Sequence, residues 1–290
     1  MHIYFNGQLV KKEEVKISPF DHGFLYGMGL FETFRVYEGH PFLLDDHLER
    51  LNKGLEVLNI NFRFDREEVY SNLQELLEIN NLTNAYIRLN VSAGIGDVGL
   101  QVEPYMKPNI LIFPKPLPPA GDLVEKRAVL LKLRRNSPEG KERIKSHHFM
   151  NNILAKREIG NAADVEGVFL TKDGYLAEGI VSNIFWLKGN VIFTPAVETG
   201  ILNGITRQFV IELGKKHNLS VAEGFYTVEN AFQADELFVT NSIQEIVPIT
   251  SFEGHKLPGK KGPIVQQLHH DYRYYCKSLW SRHCLGSEYL

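Results

Sequence analysis

The chain has 290 residues, of which 43% are hydrophobic and 23% charged, and its formal net charge is −3. That composition supports one or two globular domains with a sizeable core. The near-neutral balance gives no reason to expect a nucleic acid or an anionic membrane surface as partner, though an anionic small molecule needs only a few local donors.

In chain order, short strands are expected around Gly7, where β-branched and aromatic residues dominate. Glu32 to Tyr37 alternates in character as a strand does, Glu38-Gly39-His40-Pro41 reads as a turn, and Phe42-Leu43-Leu44 as a return strand. From Asp45 the period changes. Leu48, Leu51, Leu55 and Leu58 share one helical face, with Asp45 or Asp46 as N-cap. A second amphipathic helix is predicted from Asp65 to about Asn80, with Val69, Leu73, Leu76 and Leu77 inward. Ala85 to Val91 and Asn109 to Phe113 read as buried strands.

Lys115-Pro116-Leu117-Pro118-Pro119-Ala120-Gly121 cannot continue a helix or a central strand. It places a domain boundary there: residues 1–115 form a small N-terminal domain, 116–123 a linker and 124–290 a larger C-terminal domain. The second half begins with a strand, Ala128 to Leu133, followed by a helix from about His148 to Asn161. Val168 to Leu170 and Gly179 to Trp186 are predicted strands, with a hairpin turn at Lys172-Asp173-Gly174. A helix from Gly204 to about His217, a strand at Leu237 to Thr240 and a long helix from Gly262 to about His283 complete the reading. Strands and helices mixed in two halves give an α/β or α+β fold of two domains.

Cys276 and Cys284 lie eight apart, without the spacing of a metal cluster, and read as reduced thiols of a cytoplasmic protein. No metal site is expected. The N-terminus has no basic, apolar leader pattern, and no run of about 18 apolar residues occurs, so neither a signal peptide nor a membrane span is expected.

Three features bear on chemistry. Gly200-Ile201-Leu202-Asn203-Gly204-Ile205-Thr206-Arg207 runs from a turn into a helix. A glycine-led helix start can seat a phosphate on its N–H groups, or it can be an ordinary helix start. Glu178 sits among small and apolar residues, either buried with a partner or exposed on a hairpin. Lys145 lies just before a helix, as a reactive amine or as a solvated surface lysine.

Taken together and in order, these segments resemble the fold-type IV (class IV) pyridoxal-phosphate enzymes, the branched-chain and D-amino-acid aminotransferase family. The resemblance rests on Lys145-Ser146-His147-His148 through Lys156, Ala177-Glu178-Gly179 with Ser182-Asn183-Ile184-Phe185, Thr199 through Arg207, and Thr240-Asn241-Ser242 through Ile249. Gly23 to Gly27, Phe31-Glu32-Thr33 and His47 to Leu51 match in the first half. It implies a pyridoxal 5′-phosphate cofactor with Lys145 as its Schiff-base lysine. It further implies Glu178 at the pyridine nitrogen, Ile205, Thr206 and Ser242 on the phosphate, and Arg50 in a salt bridge to that phosphate. Asn183 is expected to support the strand of Glu178. A homodimer acting on a small molecule is implied as well.

Relatives carry a tyrosine four or five positions after the lysine, where this chain has Phe149 and Met150, which donate no hydrogen bond. His147 and His148 are the nearest replacements. The D-amino-acid branch holds its substrate carboxylate with an arginine and a histidine where Val98 and Leu100 stand here. Losing both costs about 1.5–3 kcal/mol each and argues against that branch. Thr33 replaces the glycine of branched-chain enzymes, and Phe31-Glu32-Thr33-Phe34-Arg35, Ser18 to Gly27 and Lys145-Ser146-His147-His148 resemble the lyases of folate-making bacilli. The resemblance therefore implies elimination of pyruvate from 4-amino-4-deoxychorismate, with branched-chain or D-amino-acid transamination as the alternative. Thr33 is a candidate substrate contact and Arg88 a candidate carboxylate ligand, or equally a structural residue of its strand.

Overall fold

The computed structural model describes residues 1–286. They form two compact units, the first comprising Met1–Gly121, Ile144–His148 and the segment from Cys276, the second Asp122–Arg143 and Phe149–Tyr275. The two-block division expected around residues 116–123 is thus corrected in two places. The lysine segment and the C-terminal segment both group with the first unit, and residues 287–290 of the expected second domain lie outside the described residues. The reason is hydrogen bonding. Main-chain groups of residues 145 and 147 pair with Phe31 and Gly29, and the carbonyls of Leu279 and Trp280 accept from the N–H groups of Leu43 and Asp45.

The first unit contains β1 (His2–Phe5), β2 (Gln8–Lys11), α1 (His22–Tyr26), β3 (Gly29–Tyr37), β4 (His40–Pro41), α2 (Leu44–Val57), α3 (Arg66–Ile79), β5 (Ala85–Ser92) and β6 (Asn109–Pro116). Among the described residues the strands make a six-stranded sheet in the order β2-β1-β6-β5-β3-β4. Leu30, Phe34 and Val36 of β3 and Ile87, Leu89 and Val91 of β5 alternate onto one face. There they meet Leu48, Leu51 and Leu55 of α2 and Leu73 and Leu76 of α3 in one core. Asp65 caps α3 by accepting from the N–H groups of Glu67 and Glu68.

Two local expectations fail here. Phe42-Leu43-Leu44 is not a strand, because Leu43 takes a left-handed conformation (φ 56°) and acts as the N-cap of α2. Asp45 and Asp46 consequently lie in the first turn, where their charge favours the positive helix end without capping it.

The second unit contains β7 (Lys126–Leu130), α4 (Met150–Ile159), β8 (Val165–Leu170), β9 (Leu176–Gly179), β10 (Asn183–Lys188), β11 (Val191–Pro195), α5 (Ile205–Lys216), β12 (Ser220–Gly224), α6 (Val228–Phe232), β13 (Glu236–Asn241), β14 (Glu245–Phe252), β15 (His255–Lys256) and α7 (Pro263–Tyr275). Among the described residues its nine-stranded sheet runs β12-β11-β10-β13-β14-β7-β8-β9, with β15 on β14. The strand predicted over Gly179 to Trp186 is two, because Gly179 N–H donates to the Ser182 carbonyl and turns the chain. The helix predicted to reach His283 ends at Tyr275. Among the described residues no helix is long and apolar enough to cross a membrane.

Candidate active site

Lys145 hangs from a strand edge rather than from a helix. Phe31 N–H donates to the Lys145 carbonyl at 3.0 Å, and His147 N–H donates to the Gly29 carbonyl at 3.0 Å. Leu30 and Ser146 form an antiparallel bridge between them. Lys145 therefore stands opposite Phe31, and its Nζ lies 4.5 Å from the centre of that ring. The guanidinium of Arg88 lies 3.7 Å from the centre of the same ring. Cross-strand pairing puts Thr33 opposite Arg88 and Phe31 opposite Asn90. Phe31, Thr33, Arg88 and Asn90 thus share the sheet face away from α2, and Lys145 joins them there.

Asn90 organises this face. Its Oδ1 accepts from Arg88 Nη2 at 3.1 Å and Nε at 3.3 Å, and lies 3.1 Å from His147 Nε2. The imidazole of His147 can lie against β3 because Gly29 has no Cβ; one built there would collide with His147 and with the Val91 carbonyl. Burial, with Arg88 nearby, pushes His147 down to about 4. Burial also lowers Arg88. His148 turns its Nε2 toward the Tyr26 carbonyl at 3.3 Å.

Arg50 lies on the opposite, helix-covered face. Its Nε and Nη2 donate to the two oxygens of Glu32, each at 2.7 Å, and His47 Nδ1 donates to Glu32 Oε2 at 2.6 Å. Burial alone would raise the Glu32 carboxyl, but Arg50 and His47 hold it at about 2. Burial lowers His47. The permanent charge of Arg50 therefore balances Glu32, while His47 serves as a neutral donor. The sequence reading assigned Arg50 but not its buried anchor, although Glu32 stood inside one of the matched motifs.

In the second unit Glu178 is buried on β9. Its Oε1 accepts from Arg135 Nε at 2.8 Å and lies 3.9 Å from Arg143 Nε. Its Oε2 accepts from Leu202 N–H at 3.0 Å and from Asn183 Nδ2 at 3.5 Å. Asn183 Nδ2 also donates to the Leu202 carbonyl at 2.8 Å, so it ties the strand of Glu178 to the loop that opens α5. Burial and then Arg135 push Arg143 down to about 10, against the pull of Glu178. Arg135 and Arg143 went unnamed in the sequence reading. They stand 43 and 35 residues before Glu178, with no local motif to mark them.

Helix α5 begins after Gly204 with no side chain capping its N–H groups. Ile205 and Thr206 are its first residues, and Thr206 Oγ1 lies 3.3 Å from Ser242 Oγ. Uncapped helical N–H groups and two adjacent hydroxyls can hold a phosphate dianion. A buried carboxylate braced by arginine suits a protonated ring nitrogen. The donor set of this unit therefore fits a phosphorylated pyridine cofactor. Phe149 is the N-cap of α4 and Met150 is exposed beside it, so neither offers a polar group.

The amino-transferase class IV family matches residues 29–252. An aminodeoxychorismate lyase from Bacillus subtilis (strain 168) is 48% identical over 268 residues, covering 92% of each chain. A Methanocaldococcus jannaschii protein, provisionally named branched-chain-amino-acid aminotransferase, is 40% identical over 92% of this chain and 94% of its own. Among solved structures, the branched-chain aminotransferase of the thermophilic archaeon Thermoproteus uzoniensis, crystallised with norvaline, superposes with a TM-score of 0.85 at 28% identity, covering 96% of each chain. With its lysine-bearing strand edge, its braced glutamate and its uncapped helix start, the chain belongs to the class IV amino-transferase family.

Proposed function

We propose that the protein is a pyridoxal-5′-phosphate-dependent 4-amino-4-deoxychorismate lyase, which eliminates pyruvate and leaves 4-aminobenzoate for folate synthesis, in the cytoplasm and as a homodimer. The observation that carries this reading is the 48% identity with the Bacillus subtilis lyase over nearly the full length of both chains. The unit-1 face supports it by offering an amine, a guanidinium, a hydroxyl and an aromatic ring together.

Bound pyridoxal phosphate would supply the sink for the electron pair left when a proton leaves the carbon bearing the substrate amine. Ile205 and Thr206 at the start of α5, together with Ser242, are assigned to its phosphate, and Arg50, oriented by Glu32, adds a cationic contact. Glu178 is assigned to the ring nitrogen. Lys145 is assigned as the amine that would hold the cofactor, and its free amine would remove the C4 proton as general base. The C3–O bond then breaks, the ring becomes aromatic, and Lys145 returns the proton to the departing enolpyruvate. Arg88 holds a substrate carboxylate and Thr33 contacts the ring. Val98 and Leu100 are 74% and 94% exposed and carry no charge, which argues against the D-amino-acid alternative.

The test is to supply 4-amino-4-deoxychorismate and follow 4-aminobenzoate by fluorescence and pyruvate by a coupled dehydrogenase. The expected result is one pyruvate per 4-aminobenzoate. Branched-chain transamination is the second reading, favoured by the 40% identity with the Methanocaldococcus jannaschii protein. Rapid amino transfer from leucine to 2-oxoglutarate with no pyruvate from aminodeoxychorismate would replace the first reading by the second.

A further inference from the structure

Arg88, Asn90 and His147 form a hydrogen-bonded row on the face that also carries Lys145. A lone arginine on a flat sheet face has several rotamers, and a guanidinium lends selectivity for a carboxylate only when its N–H edge is fixed. Here Asn90 holds its Nε and Nη2, and the Tyr86 hydroxyl is a further hydrogen-bond partner of the guanidinium. Asn90 Oδ1 accepts from two nitrogens of Arg88, Nη2 at 3.1 Å and Nε at 3.3 Å, while the Phe31 ring supports the guanidinium from one side. The 3.1 Å contact of the same oxygen with His147 Nε2 then requires His147 to donate, so the imidazole carries its proton on Nε2. The ring is held in that place because Gly29 leaves room for it.

We propose that Asn90 and His147 are positioning residues that set Arg88 to select a carboxylate-bearing substrate, and that the ring nitrogen of His147 facing Asn90 is committed to this clamp rather than to the cofactor. The clamp rests on the assignment of Arg88 to a substrate carboxylate, but its test does not depend on which reaction follows. A guanidinium released from Asn90 keeps its charge and its Tyr86 partner but loses the acceptor that fixes its Nε and Nη2 edge. Selectivity then falls more than turnover does.

The experiment is calorimetric titration of the holoenzyme with 4-aminobenzoate and, in parallel, with neutral 4-aminobenzamide. The wild type is expected to prefer the carboxylate by on the order of tenfold or more, the scale of one charge-assisted hydrogen bond. Asn90→Ala and His147→Phe should lose most of that preference, and both should raise KM far more than they lower kcat. His147→Gln, which restores an N–H donor at similar reach, should recover the preference. Asn90→Asp changes little in volume; it keeps Arg88 in place but sets a negative charge beside the ligand, and should also weaken carboxylate binding while folding normally. A wild type with no carboxylate preference overturns the clamp. So does an Asn90→Ala variant that keeps the preference, or a His147→Gln variant no better than His147→Phe. A wild type that shows the preference yet releases no pyruvate from aminodeoxychorismate retires the lyase reading and leaves the clamp standing.

Discussion

Glu32 is a carboxylate inside an apolar core, and its cost there is offset by Arg50 and His47. Its folded-state value of about 2 lies below the ordinary 4.5, so the stability it contributes is full above about pH 4.5 and is lost as pH falls toward 2. The amount is about 3 kcal/mol. Glu32→Gln should lose that charge-dependent contribution, about 3 kcal/mol at pH 7, and should flatten that acid limb. Urea unfolding at pH 7 and pH 3 measures both, and an unchanged acid limb in the variant would remove Glu32 as its source. His147 acts in a neighbouring window. Its value of about 4 lies below the ordinary 6.5, so the unfolded chain takes up a proton first and stability declines between about pH 6.5 and 4. His147→Gln should remove that part of the slope in the same titration. Lys145→Ala should abolish the visible absorbance of the lysine-bound cofactor and its fixation by borohydride, and lower turnover by at least about a thousandfold. A variant that keeps a borohydride-fixable band would assign the Schiff base to another lysine.

Among the elements, α5 shows how a glycine serves a neighbour. A Cβ at Gly204 would fall on Asn183 Oδ1, whose side chain joins the Leu202 carbonyl to Glu178. Gly204→Ala should therefore cost about 1–3 kcal/mol in stability and weaken cofactor retention, read by dialysis of the holoenzyme and reloading with pyridoxal phosphate. Retention equal to wild type would show that the start of α5 does not hold the phosphate. Helices α2 and α3 were legible because leucines at three- and four-residue spacing face one core. The start of α2 was not, since a left-handed leucine with no capping side chain stands at its N-cap, where an aspartate was expected. The break between β9 and β10 was hidden because Ile180 and Val181 favour a strand, so the turn at 180–182 read as its continuation. Lys145, Glu178, Thr206 and Ser242 stood out as candidates because they sit in contiguous motifs. Arg135, Arg143, Asn90 and Glu32 act through partners that only the folded sheet brings to them, so period and spacing carry no trace of their roles.

For the whole molecule, the unexpected fact is that the first unit is assembled from three stretches of chain. Asp46 is buried, and Arg282 pairs with it through both its side chain and its N–H. Trp280 packs on His40 and Tyr70. Removing residues 276–290 should therefore destabilise the N-terminal unit, far away in sequence, by about 3–5 kcal/mol for the stranded Asp46 alone. Hydrogen exchange of β3 and α2 amides reads this directly. Protection there as strong as in the full chain would mean the tail is dispensable to that unit. The boundary near the proline-rich segment was visible in composition; the two returning stretches were not, because main-chain pairing to a distant strand edge leaves no mark on local polarity.

The separation of 236 positions between Asp46 and Arg282 also sets a clock. At a synthesis rate of about 5–20 residues per second, roughly 10–50 seconds separate the emergence of the two partners. Throughout that interval the nascent chain carries a buried-type aspartate with no arginine to meet it. Final consolidation of the first unit is thereby deferred until the segment around Arg282 has been made.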